Sequence, residues 1–168
     1  MANPALPYDL LALSNEFQNK IFWEMKKCPQ VVFQVLTKRP VEMRDFCWER
    51  YGLNGVPENI WLGTSVESRK YFGRLTALYE CPSKIHFASF EPLLESLGPD
   101  LNLSSLQWAI VGAESGTNRR PFDPVWALEI RDLCKANGVA FYFKQGSHRF
   151  SGRNRELDGR LWEEFPNV

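Results

Sequence analysis

Five short apolar runs constrain this chain more than any other feature: 31–37 (VVFQVLT), 60–66 (IWLGTSV), 85–90 (IHFASF), 108–112 (WAIVG) and 139–143 (VAFYF). Each is apolar nearly throughout and rich in β-branched and aromatic residues, as in strands buried on both faces of a parallel sheet. Segments with helical spacing lie between them. Ser14 is placed as the N-cap of the first, with Phe17, Ile21, Phe22 and Met25 on one face and Pro29 closing it. Residues 42–51 form the second, stopped by Gly52. Residues 68–79 form the third, with Phe72, Leu75 and Leu78 on one face and Pro82 beyond its end. Asp123 caps the fourth, Pro124 sits in its first turn, Trp126, Ile130, Leu133 and Cys134 share a face, and Gly138 ends it. The third strand is followed instead by 92–105, a loop-like stretch with at most one helical turn. Strands alternating with helices predict right-handed βαβ units and a largely parallel α/β sheet.

A chain of 168 residues is one domain by length and too short for a complete eight-stranded α/β barrel, which needs about 250 residues. No repeat, low-complexity block or linker divides it, so 1–168 reads as a single domain. Its last part, 146–168, turns polar and glycine-containing before WEEF, which predicts a surface loop and a tail docking through Trp162 and Phe165. No apolar run approaches the ~20 residues of a bilayer helix, and the start shows no secretory pattern, so the expectation is a cytoplasmic protein without membrane contact. The formal net charge is zero, so net charge does not indicate nucleic acid. Cys28, Cys47, Cys81 and Cys134 stand singly with no C-x-x-C pair, which predicts reduced, packed thiols and no metal site.

Polar residues follow every strand: Lys38 and Arg39, then Ser65 and Glu67, then Ser89 and Glu91, then Glu114 and Ser115, then Lys144 and Gln145. In a parallel sheet these sets fall on one edge, the carboxyl ends of the strands, where α/β proteins build their sites. Charges at strand ends also meet solvent or pair with one another. Taken together, three carboxylates facing two lysines and an arginine suit a zwitterionic ligand or a phosphate. The ligand-binding candidates are therefore Lys38, Arg39, Ser65, Glu67, Glu91, Glu114, Ser115, Arg120, Lys144 and Gln145, with Arg119 and Arg120 as an anion clamp. His86 alternates with apolar neighbours and reads as a satisfied buried histidine. No residue is assigned a catalytic role.

The motifs FQVLTKRP (33–40), WLGTSVE (61–67), FASFEPLL (87–94), WAIVGAESG (108–116), FYFKQ (141–145) and RELDGRLWEEFP (155–166) resemble successive signatures of one family. It is the phage gene-product thirty-seven/sixty-eight family of phages and bacteria, similar in organisation to radical S-adenosylmethionine enzymes. The resemblance implies a partial TIM-barrel-like βα repeat with about five parallel strands, the carboxy-terminal part of a larger barrel. Full-length members begin with three closely spaced cysteines, which would hold a [4Fe–4S] cluster, and a further strand ending in a DLF-like motif. Here Asp9, Leu10 and Leu11 match the end of that region, and none of the four cysteines replaces the cluster segment. S-adenosylmethionine and the cluster are therefore expected only for full-length relatives, with no cofactor in this chain. Two functions follow as alternatives: part of a radical S-adenosylmethionine-like enzyme, or a non-catalytic phage accessory module that binds an anionic or zwitterionic small molecule. The protein is then encoded by a phage or its bacterial host. If the barrel is cut before Tyr8, the first strand loses its neighbour, and a separate amino-terminal segment or self-association is expected to cover it.

Overall fold

The structure, a computed structural model, describes residues 15–167. Ser14, the expected cap of the first helix, lies outside these residues. Helix α1 (Asn15–Lys26) leads into strand β1 (Phe33–Thr37), followed by α2 (Pro40–Tyr51), β2 (Ile60–Ser65), α3 (Gly73–Tyr79), β3 (His86–Phe90), β4 (Trp108–Gly112), α4 (Pro124–Asn137) and β5 (Ala140–Gln145). The five strands form one sheet in the order β1-β2-β3-β4-β5, every neighbouring pair parallel. This α/β arrangement is consistent with a partial barrel, because strand order that never reverses sends each right-handed crossover to the same face.

The packing follows from that one-sidedness. Phe22, Met43, Leu78 and Ile130 from the four helices join Leu62, Ala88, Phe90, Val111 and Phe143 from the strands in one large core. On the opposite face Trp61, Ile85, Phe87 and Trp108 are buried, with Ile110 and Tyr142 packed against them and no described helix contributing to the cluster. Between β3 and β4 no helix forms; Leu93, Leu97, Leu101, Leu103 and Leu106 are buried and cover the core in its place.

Helix ends agree with their local chemistry. Asp123 accepts from the Val125 amide at 2.9 Å, and Gly138 takes the left-handed conformation after α4 at φ 67°. The third helical segment is shorter than its apolar spacing implied: Arg69–Tyr71 is a separate 3₁₀ turn before α3. The tail is also more ordered than a polar loop. It forms a hairpin of β6 (Glu156–Leu157) and β7 (Arg160–Leu161), turned by Asp158 and Gly159 at φ 55° and 73°. Positive φ at both positions is what an Asp-Gly hairpin turn provides. The chain then pairs with the outer edge of β5, where Phe143 N–H donates to Trp162 O at 2.9 Å and Glu164 N–H to Phe141 O at 3.1 Å. Trp162 is buried, and Phe165 reaches the concave face, its ring 5.2 Å from that of Trp108. No helix among the described residues is long and apolar enough to cross a membrane.

Candidate ligand site at the carboxyl edge

Parallel pairing carries side chains into rows across the concave face. One row runs Leu36, Gly63, Phe87, Trp108, and the next runs Ser65, Ser89, Ile110, Tyr142. Gly63 is required in the first, because a Cβ there would stand 2.4 Å from the Phe87 ring, which lies across it. Beyond these rows, at the carboxyl edge, the charged residues gather into three ion-paired groups.

Glu67, just past β2, is buried; it meets Lys38 from the end of β1 and Arg74 from α3, the latter at 2.9 Å. Burial pushes its carboxyl up, but the Lys38 hydrogen bond, its own backbone amide and the charges of Lys38 and Arg74 outweigh this and hold it below the usual range. Arg74 also donates to Ser65 O at 2.9 Å and lies over the Tyr71 ring at 4.0 Å. Glu114, just past β4, takes three donors from Arg120: Nε at 2.8 Å, Nη2 at 2.9 Å and the backbone amide at 2.8 Å. The Arg120 guanidinium pulls its carboxyl down to about 2. Glu91, just past β3, accepts from Lys144 Nζ at 2.9 Å and more weakly from Gln145 Nε2 at 3.3 Å.

The third group opens on a cavity. A concavity of about 410 Å³, within the size range of small-molecule sites, has Phe87, Trp108, Ile110 and Tyr142 as its floor. Gln34, Leu36 and Ser89 flank them, and Glu91 and Lys144 stand at the rim. Gln145 is buried behind this pair and fully engaged. Its amide donates to Ala113 O at 2.9 Å, and its carbonyl accepts from Ser151 Oγ at 3.0 Å and Gly152 N–H at 2.6 Å.

Of the ten residues read as ligand contacts, Glu91 and Lys144 line this cavity. Lys38, Glu67, Glu114 and Arg120 lie on the same edge in ion pairs of their own. Ser65 is buried at the end of β2, and Ser115 forms a bridge with His148. Arg39 is turned away; it pairs with Glu42 at 2.8 Å in the first turn of α2 and lines a groove beside β1. The reading from sequence had no place for Arg74, because it sits nine positions past the end of β2, inside a helix. The aromatic floor was read only as core. Strand periodicity from Phe87 to Ser89 and from Trp108 to Ile110 marks these residues as one face, but not as the face without helices.

His86 and the thiols stand apart from the cavity. Both ring nitrogens of buried His86 face carbonyls, Cys81 O at 3.1 Å and Ser105 O at 3.3 Å, and burial lowers its pKa. Cys47, Cys81 and Cys134 are buried in the core on the helical face, where burial pushes each thiol up to about 12. Among the described residues no group of three or more His, Cys, Asp or Glu is placed to hold a metal ion.

These features define a class: an open parallel βα sheet with helices on one face and a polar-rimmed cavity on the other, at the carboxyl ends of its strands. The chain belongs to the family described as protein of unknown function DUF5131, whose model matches residues 9–166. No curated protein and no solved structure matches it significantly.

Proposed function

We propose that this chain binds a small zwitterionic molecule with an apolar body in the cavity under Glu91 and Lys144. The observation that carries this reading is the pairing of one carboxylate with one ammonium, 2.9 Å apart, on the rim of an aromatic-floored concavity. Lys144 is half exposed, so the pair opens to water at little cost. A ligand carboxylate then takes Lys144, a ligand ammonium takes Glu91, and the apolar body lies on Trp108 and Tyr142. A simple anion would satisfy Lys144 and leave Glu91 repelling it, which favours the zwitterion.

The sheet is read as the carboxy-terminal part of a radical S-adenosylmethionine-like barrel related to the phage gene-product thirty-seven/sixty-eight family. Support for this comes from the unreversed strand order and the one-sided helices. The cysteines of this chain do not fit a [4Fe–4S] cluster, which needs clustered thiolates. Three of them are buried, protonated thiols, and Cys28 lies just past α1. Binding without redox chemistry is therefore the reading adopted for this chain alone.

Calorimetric titration with aromatic and aliphatic α-amino acids, and with the matching amines and carboxylic acids, tests the ligand class. Zwitterions are expected to bind. Glu91→Gln and Lys144→Met should each weaken them by about tenfold or more, the loss of one charge-assisted hydrogen bond. Equal binding of the simple acids, or indifference to both substitutions, counts against the reading.

A further inference from the structure

Two loops beside the cavity carry a charge that the whole chain does not. The β4–α4 loop, residues 113–123, and the end of β5 with the loop after it, residues 144–155, hold Arg119, Arg120, Lys144, Arg149, Arg153 and Arg155 against only Glu114 and Asp123. The formal net charge of the protein is zero, so this is a local positive surface. Within it, Arg120 pairs with Glu114, Lys144 with Glu91 and Arg155 with Glu163. Arg119, Arg149 and Arg153 have no carboxylate partner among the described residues. Arg119 is held instead by neutral groups, donating to Ser147 Oγ at 2.8 Å and Gly116 O at 3.0 Å.

An aromatic side chain is exposed on the second of these loops. Phe150 is 62% exposed, with the Arg149 guanidinium 5.7 Å from its ring centre and the His148 ring at 5.9 Å. The two loops are tied into one platform. Ser115 bridges to His148, Gly116 N–H donates to His148 O at 3.2 Å, and Asn154 Nδ2 donates to Ser147 O at 3.1 Å. Gln145 Oε1 pins Ser151 and Gly152 from behind. A pre-ordered loop presents its groups with less entropy to lose on binding.

We propose that these loops form a docking surface for single-stranded nucleic acid, with Arg119, Arg149 and Arg153 taking phosphates and Phe150 stacking on a base. Unpaired arginines are placed for phosphate oxygens, which they meet bidentately. An exposed ring offers a π-face to an unstacked base and nothing to a duplex, whose bases are already stacked. The loops lie outside the aromatic floor, so failure of small-ligand binding there leaves this surface intact, and the reverse holds as well.

Fluorescence anisotropy with labelled oligothymidylate, oligouridylate and a mixed-sequence duplex tests it. Single strands are expected to bind, with a log–log salt slope near −2, from roughly 0.7 for each of three phosphates. The DNA and RNA arms show which backbone is preferred. Arg119→Gln/Arg149→Gln/Arg153→Gln should lose at least about tenfold in affinity and flatten the slope, while the triple lysine variant keeps most of the binding. Phe150→Ala should weaken single strands about tenfold and leave the duplex unchanged. All four positions are exposed, and circular dichroism confirms that the variants are folded. Absence of saturable binding at low salt overturns the proposal, as does a triple glutamine variant that binds like the parent. Competition by polyglutamate as strong as by unlabelled oligonucleotide, together with an unaffected Phe150→Ala, shows a general polyanion surface and also overturns it.

Discussion

Trp61 and Trp162 place the same side chain on opposite faces of one sheet, with opposite outcomes for the indole N–H. Trp61 packs edge-on against Trp108 on the concave side, and its Nε1 is buried with no hydrogen-bond partner among the described residues. Trp162, in the helical-side core, donates to Leu157 O at 2.9 Å and carries Arg131, Lys135 and Arg160 around its ring. Removing an unsatisfied donor relieves a desolvation cost, whereas removing a satisfied one strands its acceptor. Trp61→Phe and Trp162→Phe delete similar volume, so the cavity terms largely cancel between them. Trp162→Phe is expected to be the less stable by about 1–3 kcal/mol in chemical denaturation; equal stabilities would show that the two hydrogen-bonding states are energetically alike. Nothing in the sequence around these residues separates them, because satisfaction of an indole depends on which carbonyl the fold brings to it.

The loop from Gly112 to Asp123 is an element organised by a single carboxylate. Glu114 closes it by accepting from both the side chain and the backbone of Arg120. Its carboxyl titrates near 2 in the folded protein, against about 4.3 for a glutamate in an unfolded chain. A depressed folded value means that the stabilisation is fully present above the unfolded value and is lost as pH falls through the folded one. Glu114→Gln should therefore melt below the parent at neutral pH, by the modest amount of a partly exposed ion pair, and converge with it between about pH 4 and 2. A constant difference down to pH 2 would assign the effect to something other than this charge. The cap at Asp123 and the stop at Gly138 were legible as local chemistry. Arg74 was not legible as the partner of Glu67, since ion pairing across a βα turn depends on how the 3₁₀ turn at Arg69–Tyr71 orients α3.

At the scale of the whole molecule the two sheet edges differ. The tail covers β5 through the Trp162 and Glu164 backbone, while β1 pairs with β2 alone among the described residues. Along β1, Phe33 donates toward the β2 side, so Gln34 and Leu36 turn their backbone groups outward, and Val31, Val32 and Leu36 are exposed. A bare apolar edge is a template for pairing with another strand, here that of a second copy. Light scattering over rising concentration is expected to show association that Leu36→Lys reduces, a charge being the usual edge protection. A monodisperse monomer throughout would mean that the edge is covered from within the chain. A groove of about 370 Å³, lined by Ile21, Phe22 and Met25 of α1 and by Met43 and Phe46 of α2, borders this same edge.

By itself the sequence determined the strand and helix order, the parallel sheet and the edge on which polar residues collect. These are consequences of local periodicity and of the handedness of βαβ connections, both readable without coordinates. It did not determine which charges remain available on that edge. Pairing of Glu67 with Arg74 and of Glu114 with Arg120, against the cavity-facing Glu91 and Lys144, is set by distances between side chains from different crossovers. Likewise a net charge of zero concealed the positive loop surface, because a sum over the chain carries no information about which loops the fold places side by side.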